Sequence, residues 1–247
     1  MKAMIFAAGL GTRLKPLTDH MPKALVEVAG KPLLQHQLEK LRSIGVKRVV
    51  INVHHFADMI EEWVREHPMD VEVLFSDERE ALLETGGGIR KARPLLGEGR
   101  VLIHNCDILS NADLKSFYEK GEGAAATLLL SERKTSRYLL FDNEMNLQGW
   151  TNISTGEVKY VSHPDGICDF SQLRPLAFSG IHQIDSSAFP LMDEWPEKFP
   201  IIDFYLSLAS KMKVRGVLDN NLQLMDVGKQ ETLAEAESFV SALAARG

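Results

Sequence analysis

The sequence predicts an α/β protein: three layers, α/β/α, around a mixed, mainly parallel sheet. Three observations carry that expectation. Short apolar runs alternate with segments of helical periodicity from Lys2 to Asn105, the pattern of a parallel sheet with helices on both faces. The first apolar run ends in a glycine-rich turn, Gly9-Leu-Gly11. From about Ala124 the texture changes to short strands separated by turn residues.

Residues 2–8 are apolar and stop at glycine, which reads as a buried strand. Leu34, Leu38, Leu41 and Ile44 fall at helical spacing, and Gly45 ends that helix. Residues 48–52 form the second strand, and 56–66 a helix with acidic residues on its outer face. Residues 72–76 alternate as a strand, 86–96 form a helix with a glycine-rich start, and 100–105 form a strand that stops at Cys106-Asp107. Beyond Ala124, strands are expected at 124–130, 138–141, 147–151, 157–161 and 176–182, and helices at 202–211 and 232–244. No linker rich in Pro, Ser or Gly separates the two textures, so residues 1–247 are expected to form one domain with halves at 1–123 and 124–247. Ligands of such sheets sit beyond the carboxyl ends of the strands. The turn at Gly9, the segment after Ser76, and Asp107 would then share one edge.

The chain carries 34 acidic and 28 basic residues, a formal charge of −6, and no Lys/Arg block. That field repels a phosphate-rich polymer, so nucleic acid is not an expected partner. Small anions need only a few local cations and N–H groups. No window approaches the roughly eighteen apolar residues of a membrane span. The N-terminal apolar run ends at Gly9-Leu-Gly11 and not in a cleavage site, which speaks against a secretory signal. With only Cys106 and Cys168, a reducing compartment, the cytoplasm, is expected.

Four segments carry chemistry. In Gly9-Leu-Gly-Thr-Arg13, glycines let main chain approach a phosphate, Arg13 can bridge phosphate oxygens, and Lys23 can add a point charge. The plain alternative is a tight turn with two solvated cations. A dinucleotide fingerprint fails because Leu14 stands at the third glycine, and no Walker Gly-Lys-Ser/Thr occurs. Gly86-Gly-Gly88 opens a helix, where close approach of a flat ligand and free N–H groups are possible, or it is a glycine-rich loop without a special role. Asp107 is a hard oxygen donor just past a strand, suited to Mg²⁺, or a capping or turn aspartate. Asp226, in Leu224-Met-Asp-Val-Gly228, reads from its own surroundings as a turn residue. Cys106 reads as a small buried filler, because no His/Asn partner for a nucleophile is evident. His54 and His55 read as an ordinary polar loop, and zinc-type ligand spacing is absent.

Taken together, Ala7-Ala-Gly-Leu-Gly-Thr-Arg-Leu-Lys-Pro-Leu-Thr18, Pro22-Lys-Ala-Leu25 and Gly30-Lys-Pro-Leu33 closely resemble the sugar-1-phosphate nucleotidyltransferases. The resemblance implies their Rossmann-like fold and the reaction of NTP and a sugar 1-phosphate to NDP-sugar and pyrophosphate. It implies catalytic roles for Arg13 and Lys23, and nucleotide contacts from Ala7, Ala8, Gly9, Gly11, Thr12, Arg13, Lys23, Glu84, Thr85, Gly87 and Gly88. Asp107 and Asp226 then stand where the family holds Mg²⁺. Phe178-Ser-Gly-Ile-His182 resembles the strand lining the sugar pocket, implying Asn105, Gly180, His182 and Asp203 on the acceptor side. Leu83-Glu-Thr-Gly-Gly-Gly88 resembles the N-acetylmuramate-1-phosphate uridylyltransferase branch, implying UTP as donor and an amino-sugar phosphate as acceptor.

The chain departs from the family at Cys106 (usually glycine) and Lys229 (usually threonine), and it lacks the Val-Glu-Lys-Pro segment, for which Lys159 and residues 163–169 are nearest in place. Mannose-1-phosphate guanylyltransferase, phosphocholine cytidylyltransferase and a non-catalytic nucleotide-sugar sensor are the alternatives. A glycosyltransferase would share the metal aspartate but not Arg13 and Lys23 in this setting.

Overall fold

A computed structural model describes residues 1–162 and 172–245. Its centre is four parallel strands in the order β5–β4–β1–β6, with β1 at Lys2–Phe6, β4 at Arg48–Val53, β5 at Glu72–Asp77 and β6 at Arg100–Asn105. Chain order therefore reverses between β1 and β6, the position at which such sheets open a crevice. Two short strands, β2 (Glu27–Val28) and β3 (Lys31–Pro32), form a hairpin before α1.

Side chains alternate across the sheet. Ala3, Ile5, Val49, Ile51 and Leu102 face one apolar cluster with α1 (Leu33–Ser43), α2 (Ala57–Glu66), α4 (Leu114–Glu119) and α6 (Thr232–Ala244). Met4, Val50, Val101 and Ile103 face another with α3 (Glu84–Leu96) and α5 (Ile201–Ala209). These two cores on opposite faces make the three layers.

The sheet continues into the second half without a break. The twelve-residue strand β12 (Arg174–Asp185) pairs antiparallel with β6, and on its other side with β8 (Ala126–Ser131) and β9 (Arg137–Phe141). β10 (Leu147–Asn152) and β11 (Glu157–Tyr160) extend it beyond β9, and β13 (Val214–Leu218) lies parallel to β8. A bulge interrupts β12 between Phe178 and His182, around Gly180 at φ 77.

The expected strands and helices of the first half are all present, with ends shifted by one or two residues. The sequence reading missed β13, α4, the 3-10 segment Ser186–Glu194, and a small sheet of β7 (Ile108–Ser110) with β14 (Leu224–Asp226). Residues 163–169, including Cys168, fall within a stretch outside the described residues.

Two histidines are buried. Burial, and then the Lys40 charge, pushes the pKa of His104 down to about 3. Burial, and then His104, does the same for His182, whose Nδ1 lies 2.6 Å from the Tyr205 hydroxyl. Unfolded imidazole titrates near ~6.5, so the unfolded chain takes up protons that the fold refuses, and stability falls as pH drops below that value. Each neutral histidine should cost roughly 2 kcal/mol of stability between pH 7 and pH 5, set by the unfolded pKa. His104→Gln should lose roughly 2 kcal/mol less than the parent over that range. Urea midpoints at both pH values check this.

Candidate active site

β1 delivers the chain to the crevice at Phe6. The Ala7 N–H then donates to Asn52 Oδ1 at 2.8 Å, anchoring the start of the turn to β4. Gly11 adopts φ 65, and its carbonyl accepts from Leu14 N and Thr18 Oγ1, both at 2.8 Å. A Cβ there would sit 2.9 Å from Thr18 Cγ2, so only glycine allows this closure. The turn passes into a 3-10 segment, Thr12–Leu14, that buries Leu14 and leaves Arg13 exposed. Lys23 opens the next 3-10 turn and lines the same crevice, where its Nζ bonds the Asp107 carboxylate.

Asp107 sits between β6 and β7, and pairing does the rest. Ile108 is matched with Asp226 across the β7–β14 ladder, and Val227 N donates to Asp107 O at 2.9 Å. Two carboxylates 119 positions apart in sequence (226 minus 107) are thereby brought to one place. Gly228 keeps the space open: a Cβ there would lie 2.7 Å from Asp226 Oδ1 and 2.8 Å from Arg13 Nη2. Arg13 thus stands near Asp226 without an ion pair, and Lys23 bonds Asp107 directly. Loss of surrounding water, and then the Asp107 charge, raises the Asp226 pKa; Lys23, Arg13 and Arg133 oppose the rise.

The crevice is a cavity of ≈ 350 Å³. Its wall includes Ala7, Ala8, Gly9, Gly11, Thr12, Arg13 and Lys23 from the first turn, Glu84 and Thr85 from the start of α3, and Asn105 and Asp107 after β6. Asp226 stands at its rim, beside Arg13. Cys106 also lines it, but is 5% exposed, and burial and then the Asp107 charge push its thiol pKa up. It is no nucleophile.

Five expected residues lie elsewhere. Gly87 and Gly88 are buried, off the cavity wall. A Cβ on Gly87 would clash with the Glu197 carbonyl, and one on Gly88 would approach Glu78 Oε1 to 2.9 Å. The missing side chains at both positions leave room for these protein neighbours. Gly180 makes room for Asn105, whose Nδ2 would lie 2.9 Å from a Cβ there. His182 is 1% exposed, enclosed by Phe6, Phe178 and Tyr205, so it offers no nitrogen to a sugar. Asp203 pairs with Lys159 at 2.8 Å in a separate hollow on α5.

Three positioning residues escaped the sequence reading. Buried Glu78 accepts from Asn52 Nδ2 at 2.8 Å and from Leu83 N at 3.1 Å, tying the first turn to the start of α3. Asn52 is the link, because its other amide atom holds Ala7. Gln37, 2% exposed on α1, donates to Ile108 O at 2.8 Å and Cys106 O at 3.4 Å, bracketing Asp107 from both sides. A signal was present for two of them: Asn52 is a polar residue inside an apolar strand, and Gln37 lies on the buried face of a helix, whereas Glu78 follows the end of β5 and carried none.

Two adjacent carboxylates facing a crevice suit Mg²⁺, which takes one or two carboxylates and completes its shell with water and substrate phosphates. Loss of water, and then the Asp107 charge, raises the Asp226 pKa, and a bound cation would oppose both effects. Among the described residues, no group of three or more His, Cys, Asp or Glu forms a fuller metal site.

This strand order, turn and paired carboxylates define a nucleotide-transferring α/β enzyme. The "Nucleotidyl transferase" family model matches residues 2–138, and the chain belongs to that family as a sugar-1-phosphate nucleotidyltransferase. It is 36% identical over 245 residues to N-acetylmuramate alpha-1-phosphate uridylyltransferase of Caulobacter vibrioides, covering 96% of this chain and 95% of the relative. It is 30% identical to mannose-1-phosphate guanylyltransferase 1 of Arabidopsis thaliana, over 77% of this chain and 55% of the relative. Among solved structures, HddC from Yersinia pseudotuberculosis complexed with GMP-PN shares the fold at TM-score 0.75 and 24% identity, over 97% of this chain and 99% of the other. The inositol-1-phosphate CTP transferase from T. maritima shares it at TM-score 0.75 and 16% identity, over 98% and 95%.

The Gly87 assignment is open to a direct check. Gly87→Ala should destabilise the fold by roughly 1–3 kcal/mol through overpacking against Glu197. Thermal unfolding together with KM for nucleotide reads this. A packing glycine lowers the melting temperature, whereas a ligand-contact glycine raises KM in a protein of parental stability.

Proposed function

We propose that the enzyme transfers a uridylyl group from UTP to N-acetylmuramate 1-phosphate or a similar amino-sugar phosphate, releasing pyrophosphate. The observation that carries the chemistry is the convergence of Arg13, Lys23, Asp107 and Asp226 on one rim of a cavity at the sheet's switch point. The uridylyltransferase relative, matched along nearly its whole length, supports the choice of substrates. In this reading residues 1–123 take the nucleotide and 124–247 the sugar phosphate.

A phosphate oxygen of the acceptor attacks the α-phosphorus of UTP. A new P–O bond forms as the bond to the β-phosphate oxygen breaks, and pyrophosphate leaves with the electron pair. The attacking oxygen is already anionic, so no general base and no covalent enzyme intermediate are needed. The protein's task is to align two polyanions and offset their repulsion. The first turn follows the triphosphate with main chain. Arg13 stabilises charge building on the reacting phosphates, and Lys23, delivered beside Asp107, reaches the α-phosphate. Asp107 and Asp226 would hold Mg²⁺, which neutralises phosphate charge when bound. Glu84 and Thr85 border the base and ribose.

Guanylyl transfer is the second reading, favoured by the mannose-1-phosphate guanylyltransferase relatives. A pyrophosphate-release assay across four nucleotides and several sugar phosphates separates the two. UTP with N-acetylmuramate 1-phosphate should give the highest kcat/KM, and preference for GTP or CTP would overturn the donor assignment. Arg13→Ala and Asp107→Ala should each lose roughly a hundredfold in turnover, about 3 kcal/mol in the barrier, while circular dichroism stays parental. Full activity in either variant removes that residue from the mechanism.

A further inference from the structure

One cation on the ligand edge of the sheet, off the cavity wall, has no part in this chemistry. Arg133 lies two residues beyond the end of β8. β8 is antiparallel to β12, and β12 is antiparallel to β6, so β8 runs in the direction of β6. Its carboxyl end therefore opens on the edge that carries Asn105 and Asp107. Arg133 is exposed, and its Nη2 donates to the Phe178 carbonyl at 3.0 Å. Phe178 stands at the β12 bulge, where Gly180 makes room for the cavity residue Asn105.

Two of the cations around it are already committed. Arg174 pairs with Glu132 at 3.3 Å, and Lys159 with Asp203 at 2.8 Å. Among the described residues, Arg133 makes no ion pair. One corner of its guanidinium is pinned by a main-chain carbonyl, and its other N–H groups make no bond among the described residues. A guanidinium fork matches a carboxylate in a two-point contact. The reacting phosphates already have cations from the first half, Arg13 and Lys23, whereas Arg133 comes from the half assigned to the acceptor.

We infer that Arg133 binds a carboxylate on the acceptor sugar and selects an acidic sugar phosphate over its neutral counterpart. This rests on the reading that the acceptor is a muramate-type sugar phosphate. Muramate differs from the parent amino sugar by a lactyl ether, which supplies the one carboxylate that distinguishes the pair.

The test compares N-acetylmuramate 1-phosphate with N-acetylglucosamine 1-phosphate, the latter as substrate or, where turnover is slow, as inhibitor. Parent, Arg133→Met and Arg133→Lys are measured with saturating UTP. The parent should favour the acidic acceptor. In Arg133→Met the selectivity ratio should fall about thirtyfold or more, mainly through KM for the acidic acceptor, with Arg133→Lys intermediate. Equal losses with both acceptors would put Arg133 on the shared phosphate and overturn the inference, as would a ratio unchanged in Arg133→Met. A parent enzyme that uses both acceptors equally overturns the inference but leaves uridylyl transfer standing. A parent that uses no acidic acceptor overturns this inference and the substrate reading together.

Discussion

The site depends on holding two carboxylates side by side. Two like charges about 4 Å apart near a protein surface repel by roughly 4 kcal/mol, and nothing local in the sequence forces Asp107 and Asp226 together. The force comes from main chain: a ladder of three residues on each strand, β7 with β14, with the Val227 N–H closing on the Asp107 carbonyl. Lys23, bonded to Asp107, and then Arg13 offset the repulsion at Asp226. Gln37 completes the arrangement by fastening the carbonyls on either side of Asp107 to α1. The geometry is thus supported by buried hydrogen bonds that stay made whatever occupies the crevice.

A second line of support runs on the nucleotide side. The chain from Ala7 through Asn52 and Glu78 to Leu83 links three strand ends. Glu78 is fully buried and spends both carboxylate oxygens on this link. Removing one partner from such a buried network leaves an unsatisfied group, a larger loss than the hydrogen bond itself. From there the start of α3 is stitched to the second half: Gly86 N donates to Phe199 O at 2.9 Å, and Ile201 N to Thr85 Oγ1 at 2.9 Å. The cavity wall formed by Glu84 and Thr85 is therefore bound directly to the segment that begins α5.

Much of the fold was legible because it follows periodicity. Strands at 48–53 and 100–105 carry apolar centres, residues 49–51 and 101–103, and α1 places Leu34, Leu38 and Leu41 on one face. What escaped was too short or too irregular to carry a period. β7 and β14 have three residues each, and β13 is interrupted by Gly216, which is there because Leu130 packs against it. The first turn of the site was legible because glycines and cations stand close in sequence. Asp226 was legible only through resemblance, since its partner is brought to it by pairing at long range. His182 and Asp203 were expected at the sugar. The first is consumed by an aromatic cluster and the second by Lys159. Residue identity predicts chemistry, but which way a strand residue faces decides whether that chemistry is available.

Because β6 and β12 are neighbours in one ladder, the sheet also works as a ruler. The turn carrying Arg13 follows β1, and Arg133 follows β8, with β6 and β12 between them. Strands lie about 4.8 Å apart, so three steps span roughly 14 Å. A hydrogen-bonded ladder does not stretch, and the separation of those two strand ends is therefore set by a count of strands. If Arg133 meets the acceptor as proposed, that acceptor would be measured for length as well as for charge.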